Sequence, residues 1–318
     1  MRTDLRIIPY EHNRKTDWNE VVANSINGTF LIDREYLDYH EHRFTDASFI
    51  VYKGSNPVAV FPGNLVSNHF YSHQGLTYGG LVYTRDVKYS EIAQILDGII
   101  SILASYSVEE ITIRTIPSIY HKILTEDQLF YYYDRGFLLI RRLLSSTIDM
   151  NSETKYNLSR KRGVRKGYQL QLEVITDQNW DDYWTILEKN LNIRHNVRPV
   201  HSLEEILHLK SFFPTNIKLF TVQRAGIILA GVVLYITDRV VHSQYAASTA
   251  NGRNCGALDF VYDYCINKYR LSHNYFDFGH SNEENGKILN TNLLYQKEGF
   301  GAKACTYDTY YLKKEPKQ

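Results

Sequence analysis

Cysteine is scarce in this chain: Cys255, Cys265 and Cys305 are the three present among 318 residues. An odd, sparse set with no paired metal-ligand spacing excludes a disulfide scaffold and points to a reducing compartment. Net charge is nearly absent as well. The 36 basic and 35 acidic residues leave +1, so attraction to an anionic partner must come from a local patch rather than a global field. No apolar run approaches the roughly 20 residues a membrane helix needs. Met1-Arg2-Thr3-Asp4-Leu5 lacks the apolar core of a signal peptide. These absences lead to the expectation of a soluble, cytoplasmic protein. No low-complexity linker interrupts the chain, which argues for packed parts rather than beads on a string.

Tyrosine is abundant, with 26 residues. It favours strands and cleft walls, where the ring packs while the hydroxyl finds a partner. The length suits two hydrophobic cores better than one, and strand patterns alternate with helical ones throughout. In the first half, Ser48–Tyr52 and Pro57–Phe61 flank Gly54-Ser55-Asn56 as a hairpin. Ser90–Tyr106 has helical spacing, Glu110–Arg114 alternates like a strand, Ile119–Tyr133 reads as a helix and Phe137–Arg141 as a strand. The second half repeats the order. Lys218–Gln223 and Ile227–Ile236 flank Arg224-Ala225-Gly226. Val240–Ala246 follows as a strand, Ala257–Lys268 as a helix, Tyr275–Gly279 as a strand, Lys287–Lys297 as a helix and Cys305–Tyr311 as a strand. Each half ends its last helix with Tyr-x-x-x-Gly-Phe, at Tyr132 to Gly136-Phe137 and Tyr295 to Gly299-Phe300. The glycine suits the left-handed position after a helix, and the phenylalanine would enter the core. Duplication explains this better than a recurring helix stop. The short polar stretch Met150–Thr154 places the boundary near residue 150.

The segment from Ser248 to Ala257 joins a strand to a helix through Gly252, Arg253, Asn254, Cys255 and Gly256. Read as a glycine-rich loop, it would leave backbone N–H groups at the positive end of the helix dipole, which suits phosphate. Arg253 could add a charge-assisted contact. A plain turn of this composition is the alternative.

This segment resembles the pyrophosphate loop of the GCN5-related N-acetyltransferases, Arg/Gln-x-x-Gly-x-Gly/Ala. Arg253 and Gly256 match, whereas Leu258 stands where glycine or alanine is expected. Tyr295-x-Lys297-x-Gly299-Phe300 resembles the end of that family's fourth helix. Phe276-Asp277-Phe278-Gly279-His280-Ser281 resembles a strand end of the Fem-type peptidoglycan aminoacyl transferases. The basic run from Leu158 to Lys166 resembles the helix opening their second domain, and Tyr78-Gly79-Gly80-Leu81 a turn in their first. The resemblance implies an α+β chain of two tandem acetyltransferase-like domains, 1–150 and 151–318. Each would be a mixed, mostly antiparallel sheet flanked by helices. The first would be a scaffold contributing an acceptor wall, and the second would bind the donor and catalyse.

Acyl transfer to an amine needs a neutral amine, a polarised carbonyl and a protonated leaving group. Asp277 and His280, at a strand end, are candidate bases, and a capping or substrate-positioning role suits Asp277 equally. By resemblance Tyr295 donates a proton to the departing thiolate; packing under its helix is the plainer role. Tyr245 lines the acceptor pocket or belongs to the core, and Ser281 is a candidate substrate contact. The segment 252–257 (Gly252, Arg253, Asn254, Cys255, Gly256 and Ala257) would hold the cofactor. Cys255 has no paired base and reads as a small lining residue rather than a nucleophile. Glu283 and Glu284 read as solvated. His195 and His201, around Arg198-Pro199, have no carboxylate or cysteine at metal-ligand spacing, so no metal is expected. The six cations between Lys155 and Lys166 read as a solvated face, an anionic-substrate contact or an RNA contact.

The leading expectation is an acyl-CoA-dependent (acetyl-CoA) N-acyltransferase acting on an amine of a small molecule or a sugar-nucleotide or cell-envelope precursor. An aminoacyl-tRNA donor is the alternative. Leu258 and the basic run speak for tRNA, and the absence of a long Lys/Glu-rich helical hairpin speaks against it. A non-catalytic ligand-binding protein of the same fold is the third possibility. Neither the acyl chain nor the oligomeric state can be read from the residues.

Overall fold

The structure, a computed structural model, describes residues 4–195 and 197–313; the side chains of residues 194 and 195 are outside the description. The chain divides into two compact units, Met1–Leu143 with Thr306–Gln318, and Leu144–Cys305.

In the first unit the order is β1 (Leu5–Pro9), α1 (Lys15–Asn24), α2 (Arg34–Asp38), β2 (Phe49–Lys53), β3 (Asn56–Phe61), β4 (His69–Tyr71), β5 (Val82–Tyr83), α3 (Tyr89–Ser105), β6 (Glu110–Arg114) and α4 (Asp127–Asp134). β1, β2, β3 and β5 form an antiparallel sheet, while β6 pairs in parallel with β4. α3 turns Ile92, Ile95, Leu96, Ile99 and Leu103 inward against Phe61, Phe70, Ile111 and Ile113. This is the helical stripe and strand alternation legible in the residues. Then comes β7 (Leu138–Asp149), which begins in the first unit and ends in the second.

The second unit repeats the order. It contains α5 (Leu158–Gln169), β8 (Glu173–Thr176), α6 (Trp180–His195), α7 (Leu203–Phe212), β9 (Ile217–Arg224), β10 (Ile227–Ile236), β11 (Val240–Ser248), α8 (Ala250–Cys255), α9 (Ala257–Tyr269), β12 (Tyr275–His280) and α10 (Thr291–Glu298). β8 through β11 are antiparallel neighbours, and β11 pairs in parallel with β12. The last part of β7 closes this sheet against β12, Asp149 opposite Tyr275 and Ser145 opposite His280. The final strand, β13 (Lys303–Lys313), pairs Thr309–Lys313 with β6 in the first unit. So the first unit's sheet takes a segment from the far end of the chain, the second unit's sheet takes the end of the strand that leads into it, and the division between the units falls after Leu143.

Three local expectations change. Ile119–Tyr133 is not one helix: a 3-10 turn at Ser118–Tyr120 precedes α4. Lys287–Lys297 is divided, because Ile288–Leu289 pairs with Asn282–Glu283 and Asn290 then caps α10 by accepting the Leu293 amide at 2.9 Å. Gly136 takes the left-handed conformation with φ 72°, but Gly299 is right-handed and Gly301 takes the positive φ instead. Both phenylalanines enter the cores, Phe137 in the first unit and Phe300 in the second. No helix among the described residues is long and apolar enough to cross a membrane.

Candidate active site

The site follows from how two strands part. β11 and β12 are paired only from Val240–Tyr275 to His242–Asp277; both continue beyond that point, β11 to Ser248 and β12 to His280. β11 also bulges against β10, since Val233 pairs with Tyr245 and Leu234 with Ser243, leaving Gln244 extra. A bulge bends its strand and raises the local twist, so β11 leaves its parallel neighbour at this point. Further along β11, a cavity of about 380 Å³ opens, reached by Arg160 of α5, Asn190 of α6, Arg253, Leu258 and Asp259 of α8–α9 and Tyr295 of α10.

At the vertex, Asp277 is fully buried, with 0% of its surface exposed. Its carboxylate accepts from Ser145 Oγ at 2.6 Å, Thr147 Oγ1 at 2.9 Å, the Gly279 amide at 3.3 Å and His242 Nδ1 at 2.8 Å. Four donors stabilise the ionised form in a place where a bare carboxylate would be costly. Because the acceptor lies on Nδ1, neutral His242 carries its proton there and keeps Nε2 as the basic nitrogen. His242 therefore has the tautomer and orientation of a general base, with Asp277 as the group that positions it.

Lys297 closes the other side. Its ammonium donates to the Gly279 carbonyl at 2.8 Å and the His280 carbonyl at 2.7 Å. These use two of its three hydrogens. Burial lowers its pKa from the usual lysine range to about 8, with the nearby Asp277 charge opposing the shift. Ser281 Oγ is buried and has no hydrogen-bond partner.

The segment 248–257 is not a glycine loop. Thr249 caps α8 by accepting the Gly252 amide at 2.9 Å, and Gly256, at φ 72°, breaks the chain between α8 and α9. Both glycines answer to packing: a Cβ on Gly252 would meet the Leu229 carbonyl oxygen at 2.0 Å, and one on Gly256 the Gly163 oxygen at 2.6 Å. Gly252, Arg253 and Gly256 do line the cavity. Ala257 instead is buried in the core, Cys255 Sγ turns back to the Gly252 carbonyl at 3.4 Å, and Asn254 is exposed and gives its carbonyl to Lys166 at 2.6 Å. Arg253 bonds the Ser248 carbonyl at 2.9 Å. α5 packs on α9 so closely that Cβ atoms on Gly163 and Gly167 would collide with Asp259 and Phe260. From α5, Arg160 forms an ion pair with Asp259, whose pKa burial raises to about 6 against the pull of Arg160.

The remaining candidates divide. Tyr295 lines the cavity and is 64% exposed, so it is not packed under its helix. His280 is exposed on β12 and contributes its carbonyl to Lys297. Tyr245 is buried, edge-on to Trp184 at 5.4 Å, with its hydroxyl 2.7 Å from His201 Nδ1 and its pKa raised to about 12 by burial. It ties the segment before α7 to the sheet. The His195 side chain lies outside the described residues. The exposed cations of α5 include Lys161, Arg162 and Arg165. Among the described residues, one trio of metal-capable side chains gathers, His12, Asp38 and Glu41, in the first unit; Lys15 and Arg34 already pair with Asp38 there.

His242 and Lys297 escaped sequence reading as functional groups. His242 stands mid-strand and meets its partner 35 positions on. Lys297 was legible only as the middle of Tyr-x-Lys-x-Gly-Phe.

No family model matches the chain, and no curated protein does either. Solved structures match along nearly its whole length. FemX is 11% identical, with a TM-score of 0.70 over 97% of each chain. A tandem GNAT protein from the clavulanic acid biosynthesis pathway is 9% identical, with a TM-score of 0.57 over 99% of this chain and 100% of that one. L-PGS from Bacillus licheniformis is 9% identical, with a TM-score of 0.57 over 81% and 82%. At identities of 9–11% these matches show a shared fold. The protein has the tandem acetyltransferase-like (GNAT) fold, similar to that of Fem-type proteins.

Proposed function

We propose that the second unit transfers an acyl group from an activated donor to an amine, with the reaction at the vertex where β11 and β12 part. The observation that carries this reading is the His242–Asp277 pair at that vertex, beside the buried Lys297 and with a cavity holding two arginines further along β11. His242 Nε2 takes the proton of the attacking amine while Asp277 supports the imidazolium that results. Lys297 supplies positive charge near the carbonyl oxygen as it becomes an oxyanion. Tyr295, open to the cavity, gives its phenolic proton to the leaving thiolate or alkoxide.

Acyl-CoA is the donor we favour, its phosphates held near Arg253 and the start of α9. An aminoacyl ester of tRNA is the second reading, favoured by one observation: the exposed cations Lys161, Arg162 and Arg165 of α5 offer a face for a polyanion. Thermal-shift titration separates them, because a specific ligand raises the melting temperature by mass action. We expect stabilisation by acetyl-CoA, longer acyl-CoAs or free CoA, lost in Arg253→Ala. No shift with any of them, with transfer observed from aminoacyl-tRNA, would select the second reading. No product with either donor class would overturn acyl transfer.

A further inference from the structure

Two arginines of the first unit share one face of its sheet with no carboxylate between them. On β6, Ile111 and Ile113 enter the core beneath α3, so Glu110, Thr112 and Arg114 point to the other face. Thr309 of β13 stands directly opposite Arg114, and β7 is the next strand beyond β13. From β7, Arg141 donates to Thr309 Oγ1, from Nε at 3.3 Å and from Nη2 at 3.2 Å. Arg114 gives Nη1 to the Leu76 carbonyl at 3.0 Å and the Gln74 carbonyl at 3.4 Å. Strands lie about 4.8 Å apart, which puts the two arginine backbones roughly 10 Å apart with Thr309 between. Both guanidiniums are partly buried. Burial first, and then the Arg141 charge, lower the Arg114 pKa, and burial lowers that of Arg141. The next residue makes the contrast: Arg142 points to the opposite face and meets Asp308 with two bonds of 2.7 Å. The carboxylate on the Arg114 face, Glu110, stands at the other end of β6, 3.2 Å from His69 Nδ1. Among the described residues, no ion pair joins Arg114 or Arg141 to a carboxylate.

We propose that Arg114, Arg141 and Thr309 bind a phosphate dianion, either the free ion or the end of a phosphate monoester. Like charges held side by side repel, and burying them without a counter-charge is costly; a dianion cancels both. The donors match its shape as well. With Nη1 engaged by carbonyls, Arg114 keeps Nε and Nη2, the two-pronged side of the guanidinium, and Arg141 keeps Nη1. Thr309 Oγ1 accepts from Arg141, so its own hydrogen is left to donate. Three donor groups thus meet the three outer oxygens of a phosphoryl group. A carboxylate brings one charge and two oxygens, and would leave one cation uncompensated. The inference concerns the first unit and does not depend on transfer in the second.

The test uses the full chain, with inorganic phosphate, glycerol 3-phosphate and acetate as probes in calorimetry at low ionic strength. At least one phosphate should bind tenfold or more tightly than acetate. Affinity for the monoester should rise between about pH 5 and 7, as it takes its second charge near pH ~6. Arg114→Met and Arg141→Met should each weaken phosphate binding at least tenfold. Arg141→Lys keeps the charge but loses the fork, and its affinity should fall between parent and Arg141→Met; it carries the test if a methionine variant does not fold, which a melting curve in phosphate-free buffer reveals. Arg253→Ala, in the second unit, should leave this binding in place. Tighter binding of glycerol 3-phosphate identifies an ester as the ligand, and tighter binding of inorganic phosphate identifies the free ion. Acetate binding as tightly as phosphate overturns the inference, as does binding of neither phosphate. Binding that survives Arg141→Met and Arg141→Lys at full strength but is lost in Arg253→Ala overturns it too.

Discussion

The two units place an acidic residue at the same point and use it in opposite ways. In each, a long helix follows the third antiparallel strand of the run, and its third residue is a carboxylate: Glu91 in α3, Asp259 in α9. Glu91 folds back to accept the Lys88 amide at 3.0 Å and pairs with Lys53 at 2.8 Å. That closes the helix start with the chain's own anion. Asp259 is drawn aside by Arg160 of α5, the residue before α9 is glycine with no side-chain cap, and the helix start borders a cavity. One unit has satisfied its helix end internally; the other leaves its helix end uncapped by a side chain beside a cavity. The cavities differ likewise. The first unit has one of about 210 Å³ lined in part by the two-pronged Arg142–Asp308 pair at 2.7 Å, whereas the second unit has the His242–Asp277 pair where β11 and β12 part.

If catalysis belongs to the second unit, the largest effect should come from its vertex. His242→Gln and Asp277→Asn should each lower kcat by roughly 10²–10⁴ in steady-state transfer assays; Arg142→Gln in the first unit should leave kcat within about twofold. Next, Lys297→Met should cost roughly 10² in kcat. In the parent, activity should fall as pH rises through about 8, because the lysine carries its charge only below that value. A pH profile that is flat across this range would remove Lys297 from the chemistry.

The helix-start contrast gives smaller effects. Arg160→Met frees Asp259 to turn back and cap α9, which should raise donor KM about tenfold at unchanged kcat. Glu91→Gln should instead cost ~1 kcal/mol of stability, read by denaturant unfolding, and leave transfer untouched.

Acid should separate the units most gently. His73, buried in the first unit, has its pKa lowered to about 3 by burial and by neighbouring His40. The unfolded chain then binds the proton more readily, so stability is lost as pH falls from about 6.5 toward 3, on the order of a few kcal/mol. Asp259 runs the other way: its raised pKa means stability is greater at low pH and declines as pH rises from about 4 toward 6. Hydrogen exchange across this range should show the first unit loosening before the second, and His73→Asn should flatten its response.

Much of the frame was legible because local signals and tertiary structure agree. Arg224-Ala225-Gly226 turns between β9 and β10, with Ala225 and Gly226 both at positive φ, and the strand Glu110–Arg114 falls where alternation puts it. The segment 248–257 misled because glycine has two uses: Gly252 and Gly256 are small to admit Leu229 and Gly163, contacts set by strands and helices far away in sequence. Helices α6 and α7 were not anticipated. α6 carries buried Tyr183, Trp184 and Leu187 on one short stripe, and their role appears only once Gly231 makes room for Tyr183. Asp277 was found through its strand-end motif. His242 was not, since a histidine in a strand gains a function only from what the parallel neighbour brings beside it.

The most direct measurement is the stoichiometry and location of donor binding. Titration of the full chain with a non-hydrolysable donor analogue should give one site per chain, abolished by Arg253→Glu and unchanged by Glu91→Lys. Two equivalent sites, or undiminished binding in Arg253→Glu, would contradict the assignment of the donor to the second unit.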